Sequence, residues 1–291
     1  MNLSRIVAGT MKWGHWGAKF NTADYDRMIR SCMDAGVTSF DHADIYGDYT
    51  TEEEFGAVLK QDPTLRKQMQ LITKCGIQKV SPQRPLHKIK SYNTSFTHII
   101  ESVETSLENF GTDYIDVLLL HRPDALLDAG EVAQAFLQLK EQGKVLHVGV
   151  SNFKPAQLEL LHSRFPVEVN QVQCSVTHMD PLADGTLDQC QRLGIVPMAW
   201  SPLGGGSLLA SHEDERGLRI GAVASYLAEI YEVTPDQVLL NWLLTHPAGI
   251  YPVVGTTKPE RILASIGAQE FRLTREEWYM LWRASTGKVV A

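Results

Sequence analysis

"GVTSFDHADIYGDYT", residues 36–50, climbs through a β-branched and aromatic run and then releases a burst of ionisable groups: Asp41, His42, Asp44, Tyr46, Asp48 and Tyr49. Val37, Thr38 and Phe40 suit a pleated, half-buried strand. The segment before them, "DYDRMIRSCMDAG", carries apolar residues at helical spacing and ends on Gly36, the residue type that closes a helix in the left-handed region. A helix, a short strand and a polar strand end make one unit of a βα repeat. The polar end is a site if the unit recurs along the chain, and a solvated loop if it does not.

The unit recurs. Strand-like runs stand at "RIVAGTM", "VTSFDHA", "MQLITKC", "DVLLLH", "VLHVGVSN", "VEVNQVQ", "IVPMAWS" and "GIYPVVGTT". Between them lie helix-spaced segments such as "EEEFGAVLKQ", "FTHIIESVETSLENFG", "EVAQAFLQLKEQGK", "PAQLELLHSRF" and "TLDQCQRLG". Gly111, Gly143 and Gly194 sit where those helices need to end, and Thr234 before Pro235 reads as a helix N-cap. Eight strands alternating with helices predict an α/β fold, a (β/α)8 TIM barrel with extra loops and a C-terminal helix, in one domain over residues 1–291. A doubly wound open sheet would place G-x-G-x-x-G after an early strand, and "VAGTMKWG" does not supply it.

Composition narrows the function classes. With 44% hydrophobic and 21% charged residues, the chain can bury a large core. A net charge of -7 without a basic run argues against nucleic acid. No apolar stretch reaches the roughly 20 residues of a membrane span. "MNLSRIVAGTM" lacks the features of a signal peptide, so a cytoplasmic location is expected. Four cysteines without a C-x-x-C pair predict buried thiols and no zinc. "NTS" at 93–95 reads as a cap for the helix that follows.

In a barrel of this kind, reactive groups gather at the C-terminal ends of the strands. Asp41 ends the second strand and Tyr46 follows it; Lys74 ends the third; His121 ends the fourth. Alternation sets Leu119 and His121 on one face, opposite Leu118 and Leu120. If Asp41 points inward, His42 points out and packs. Metal binding by Asp41, His121 and His147 is a weaker reading, because no H-x-H strand or H-E-x-x-H helix accompanies them.

"GTMKWG", "FDHADIYG", "ITKCG", "DYIDVLLLHRPD", "GKVLHVGVSNF", "NQVQC", "WSPLGGG" and "VVGTTKPERI", taken in order, resemble the aldo-keto reductases, and most closely a bacterial branch of soluble oxidoreductases. The resemblance implies a catalytic tetrad of Asp41, Tyr46, Lys74 and His121. The residue types suit carbonyl reduction, which adds a hydride to carbon and a proton to oxygen. A lysine ammonium about 4 Å from a phenol attracts the phenolate by on the order of 4 kcal/mol at an effective dielectric of about 20. The expectation is therefore a phenol made more acidic by Lys74, with Asp41 holding the ammonium charged and His121 orienting the carbonyl.

The same resemblance implies NADPH/NADP+ laid across the barrel mouth. Gly9, Thr10 and Met11 would line it, and Ser151, Asn152 and Gln171 would grip the nicotinamide carboxamide. Trp200 stands where the family often stacks a tyrosine. Ser201, Leu203 and Gly205 of "SPLGGG" would meet the pyrophosphate, since glycine lets backbone amides approach closely. Thr256, Thr257, Lys258 and Arg261 gather hydroxyls and cations at a helix N-terminus, an anion site suited to the adenosine 2′-phosphate. Some relatives carry a lysine in place of Gly255, which weakens the preference for NADPH over NADH. Trp13 matches a position that commonly walls the substrate pocket, and the polar stretch "GIQKVSPQRPLHKIKSYN" is long enough for a lid.

An aldehyde or ketone reductase acting as a monomer is the main expectation. An NADP(H)-binding regulatory protein with negligible turnover and a lyase using Lys74 as a Schiff-base nucleophile remain open beside it.

Overall fold

The structure is a computed structural model that describes residues 1–206 and 215–290. Eight strands form its centre: β1 (Val7–Gly9), β2 (Ser39–Asp41), β3 (Gln70–Cys75), β4 (Ile115–Leu120), β5 (Val145–Ser151), β6 (Val169–Gln173), β7 (Val196–Trp200) and β8 (Tyr251–Val254). They close in the order β1-β8-β7-β6-β5-β4-β3-β2, with every neighbouring pair parallel. This is the eight-stranded TIM barrel expected from the repeat; seven strands fall inside the predicted runs, and β4 begins one residue before its run, at Ile115.

Alternation along the strands sorts the core into an inner and an outer layer. Val7, Ile72, Val117, Leu119, Val169, Met198 and Val253 fill the barrel interior. Phe40 and Leu71 face outward into a cluster with Tyr25, Phe55 and Phe110. Leu118 and Leu120 face outward into another, with Val132, Phe136 and Leu158. The parity that sends Ile72 inward also sends Lys74 inward, and Val117 and Leu119 carry His121 with them. In the ladders Gly9 lies beside Asp41, Asp41 beside Ile72, and Lys74 beside Leu119. The strand ends thus meet at one rim, above an apolar floor.

The helices begin and stop where their end residues dictate. Ser95 accepts from the His98 amide and starts the helix Phe96–Phe110, so the "NTS" stretch serves as a cap. Thr234 opens Pro235–Leu244 with Gln237 completing a capping box. Gly36, Gly111, Gly143 and Gly194 all adopt positive φ. After β3 a short antiparallel hairpin, Ile77–Gln78 with Ser91–Tyr92, projects a loop over residues 79–90. The C-terminal helix Arg275–Thr286 packs Trp278 on Trp242, with ring centroids 4.7 Å apart and each indole N–H donating to the other residue's carbonyl. No helix among the described residues is long and apolar enough to cross a membrane.

One position tests the floor directly. A Cβ on Gly149 of β5 would lie 2.6 Å from both Leu119 Cδ2 and the Val169 carbonyl oxygen. Gly149→Ala therefore overpacks the interior, at a cost of about 1–3 kcal/mol. Its melting temperature, followed by circular dichroism, is expected to fall by roughly 2–10 °C. An unchanged melting temperature would show that the inner layer has room the structure does not.

Candidate active site

Lys74 organises the rim. Its Nζ donates to both Asp41 oxygens, at 2.8 and 2.7 Å, and to the His42 carbonyl at 2.7 Å. The same nitrogen lies 3.3 Å from the Tyr46 hydroxyl. Gln171 Nε2 adds a 2.7 Å bond to Asp41 Oδ1 from across the barrel. Lys74 and Asp41 are 1% and 3% exposed, so the pair is shut away from water. Tyr46 reaches it because the chain turns sharply after β2: Gly47, Asp48 and Tyr49 all have positive φ. A Cβ on Gly47 would lie 2.5 Å from Thr51 Oγ1, so glycine is required there. His121 presents its ring edge to Tyr46, with centroids 6.0 Å apart and planes at 78°.

His42 faces away from the site, as parity predicts. It packs against Phe55 and Phe110 and shares a 3.0 Å hydrogen bond with Thr10 Oγ1. Trp16 covers the other flank of Tyr46, with centroids 6.1 Å apart, and Lys79 lies 5.4 Å over the Trp16 ring.

The electrostatics depart from one expectation. Burial works against the Lys74 ammonium, but Asp41 and Tyr46 outweigh it and hold its pKa above the ordinary lysine value. Tyr46, by contrast, lies above the ordinary phenol value. Burial raises it most; Lys74 and Arg122 pull it down, and the Asp41 carboxylate pushes it up. The phenol acidified by its lysine is thus corrected: desolvation wins, because the carboxylate that fixes the ammonium also offsets its field. His121 is held well below the ordinary histidine value by burial first, then by Lys74, Arg122 and Lys90. It is neutral, and its buried Nδ1 has no partner. A bare nitrogen tolerates that better than an N–H, which puts the ring proton on Nε2.

The residues expected around the mouth fall into two groups. Thr10 is fully buried, its hydroxyl donating to the Asp41 carbonyl, and Gly9 is buried with it; Met11 is 41% exposed. Ser151 and Gln171 are also buried. Ser151 Oγ accepts from Asn152 Nδ2 at 2.8 Å and from Arg122 only weakly, at 3.4 Å. Trp200, standing where the family often stacks a tyrosine, donates from Nε1 to Asn152 Oδ1 at 3.0 Å and so braces this polar cluster. Ser201, Leu203, Thr256 and Thr257 are half-buried, while Gly205, Lys258 and Arg261 are exposed.

Trp13 is the second correction. It is wholly buried, ringed by Phe20, Tyr25, Phe40 and Phe55, with its Nε1 donating to the Thr256 carbonyl at 2.8 Å. It ties the turn after β1 to the turn after β8 and walls no pocket. The aromatic beside the tetrad is Trp16. Arg122, which follows His121 and donates to its carbonyl at 2.7 Å, was missed. Its only signal was adjacency, since alternation directs neighbouring strand residues apart.

The donor set fits a dinucleotide. Lys258 and Arg261 form no ion pair among the described residues, and they stand at the start of the helix Pro259–Ile266. Ser201, Gly204 and Gly205, after β7, all have positive φ. No cluster of three or more His, Cys, Asp or Glu among the described residues could hold a metal.

Comparison with known proteins agrees. The chain is 45% identical over 289 residues to the oxidoreductase YcsN of Bacillus subtilis (strain 168), covering 99% of this chain and 96% of the relative. It is 40% identical over 299 residues to a 6-dehydroglucose reductase of Agrobacterium fabrum, covering 100% and 97%. An aldo/keto reductase from Klebsiella pneumoniae, solved in complex with NADP and acetate, superposes with a TM-score of 0.79 at 25% identity, covering 97% and 91%. Residues 5–285 match the profile of the aldo/keto reductase family, and the chain belongs to that family.

Proposed function

We propose that this oxidoreductase reduces aldehydes or ketones to alcohols with NADPH, using Tyr46 as the proton donor. The observation that carries the reading is the Lys74 ammonium, clamped by Asp41 and 3.3 Å from the Tyr46 hydroxyl. Because Lys74 donates to the phenolic oxygen, the Tyr46 proton is free to point into the mouth. The relative named for reducing 6-dehydroglucose supports a carbonyl substrate, and the neighbour solved with NADP supports the cofactor.

NADPH, when bound, supplies the hydride. Lys258, Arg261, Thr256 and Thr257 would hold its adenosine phosphate, Ser201, Leu203 and Gly205 its pyrophosphate, and Trp200 would stack on the nicotinamide. Asn152 and Gln171 would meet the carboxamide, with Ser151 joining once Arg122 releases its weak contact. Neutral His121 would donate from Nε2 to the carbonyl oxygen and set it beside Tyr46. As negative charge grows on that oxygen, Tyr46 transfers its proton and Lys74 stabilises the phenolate left behind. All four groups come from one chain, so a monomer suffices for this chemistry.

Tyr46→Phe removes only the proton donor. Its kcat is expected to fall by about 10²–10⁴-fold, with NADPH affinity unchanged when read by quenching of tryptophan fluorescence. Unchanged kcat would move the acid elsewhere. Tight NADPH quenching by the wild type, without turnover on any carbonyl, would favour the regulatory reading.

Lys74 lowers the Tyr46 pKa, so Lys74→Met is expected to raise it further. The alkaline limb of kcat/KM for reduction, where the phenol loses its proton, then moves to higher pH while the plateau drops. A limb that stays in place would uncouple the ammonium from the phenol.

For the cofactor, Lys258→Ala with Arg261→Ala is expected to weaken NADPH about tenfold or more relative to NADH, since each charge-assisted bond contributes about 1.5–3 kcal/mol. Equal losses for the two cofactors would return these cations to an ordinary surface helix.

A further inference from the structure

Two features of the mouth are unused by this mechanism, and both are cationic. Arg122 is half-buried beside the tetrad. Its guanidinium donates to the His121 carbonyl and Ser151 Oγ and lies 5.7 Å over the Trp200 ring. No carboxylate pairs with it among the described residues. A partly desolvated cation held only by neutral groups gains most from a bound anion, and the planar fork of arginine matches a carboxylate.

The second feature is the loop over residues 79–90, "KVSPQRPLHKIK", which holds Lys79, Arg84, His87, Lys88 and Lys90 and no acidic residue, in a chain of net charge -7. It is fixed against the site. Tyr49 Oη accepts from the Lys79 amide at 2.8 Å, Asp48 pairs with Lys79, and Arg84 lies 4.6 Å over the Tyr49 ring. Arg84, Lys88 and Lys90 have no ion-pair partner among the described residues. The loop follows β3, which stands opposite β7 in the ring, so it lies away from the dinucleotide side. Its charge therefore has no cofactor to serve.

We infer that the physiological substrate is a carbonyl compound bearing a carboxylate, steered to the mouth by the loop over residues 79–90 and held by Arg122. The inference rests on the reductase reading and specifies its substrate class. A cationic rim concentrates anions and speeds their capture, an effect that salt screens. Arg122 then fixes the acid end while His121 and Tyr46 take the carbonyl oxygen.

The test is NADPH-dependent reduction of two aldehydes matched in size, 4-carboxybenzaldehyde and 4-formylbenzamide. In the wild type kcat/KM is expected to favour the acid by about tenfold or more at low salt. That ratio should shrink as ionic strength rises from ~10 mM to ~0.5 M. Arg122→Leu should lower the ratio at least about tenfold, each aldehyde being compared within the same variant so that a general loss cancels. If that variant does not fold, Lys88→Gln with Lys90→Gln should flatten the salt dependence for the acid alone. Turnover of both aldehydes with a ratio near one overturns the inference and leaves the reductase reading intact. Turnover of neither removes the reductase reading, and the inference with it.

Discussion

A single buried ion pair holds the rim together. Two charges at 1% and 3% exposure lose nearly all hydration, a penalty of several kcal/mol per ion. Lys74 and Asp41 offset it with a two-oxygen contact, supported by the His42 carbonyl on the ammonium and the Gln171 amide on the carboxylate. The partners come from β2, β3 and β6, so barrel closure and the ion pair depend on each other. Remove either charge and the other is left buried and unpaired, which is far costlier than never having had the pair.

Tyr46 is the third party to this arrangement, and its position explains why its pKa moves up. The phenolate would be stabilised by an ammonium 3.3 Å away, but that ammonium is already matched by Asp41, and water is excluded. The resting phenol therefore keeps its proton. That suits an acid. An alkoxide forming at the mouth is far more basic than a phenolate, so transfer is downhill even from a weakly acidic tyrosine. What Lys74 contributes is the orientation of the hydroxyl and stabilisation of the charge once it appears.

The sequence disclosed what strict periodicity carries and hid what turns and burial decide. Asp41, Lys74 and His121 were legible because a parallel barrel forces strand parity and strand ends into register, and their neighbours Phe40, Leu71 and Leu120 mark the opposite face. Ser95, Thr234 and the positive-φ glycines were legible because caps act within a few residues. Trp13 was misread because it lies past the end of β1, where no periodicity holds. Its direction is set by Phe20, Tyr25, Phe40 and Phe55, residues that only the fold brings together. Arg122 escaped because alternation sets it on the face opposite His121, and β4 has already ended at Leu120. The Tyr46 shift was read in the wrong direction, since the desolvation that raises it belongs to the folded surroundings.

Behind the tetrad lies a layer of titratable groups whose charged forms burial disfavours. Burial, then the neighbouring Glu52, raises the Asp44 carboxyl well above the usual range. Burial raises Glu52 despite its bonds from Thr73, Ser106 and Asn109. It pushes the Cys75 thiol well up, with Asp44 and Glu52 adding to the effect, and drives His42 well down, with Lys74 adding to it. An ionised carboxylate behind the ammonium would draw its field away from Tyr46, and burial works against each such charge. The charge of Lys74 is answered by Asp41 on one side and faces the reacting oxygen on the other. The low dielectric that makes the ion pair costly to bury also disfavours charge on its neighbours, so the same desolvation that raises the Tyr46 pKa helps keep the field of Lys74 directed at the one bond that must break.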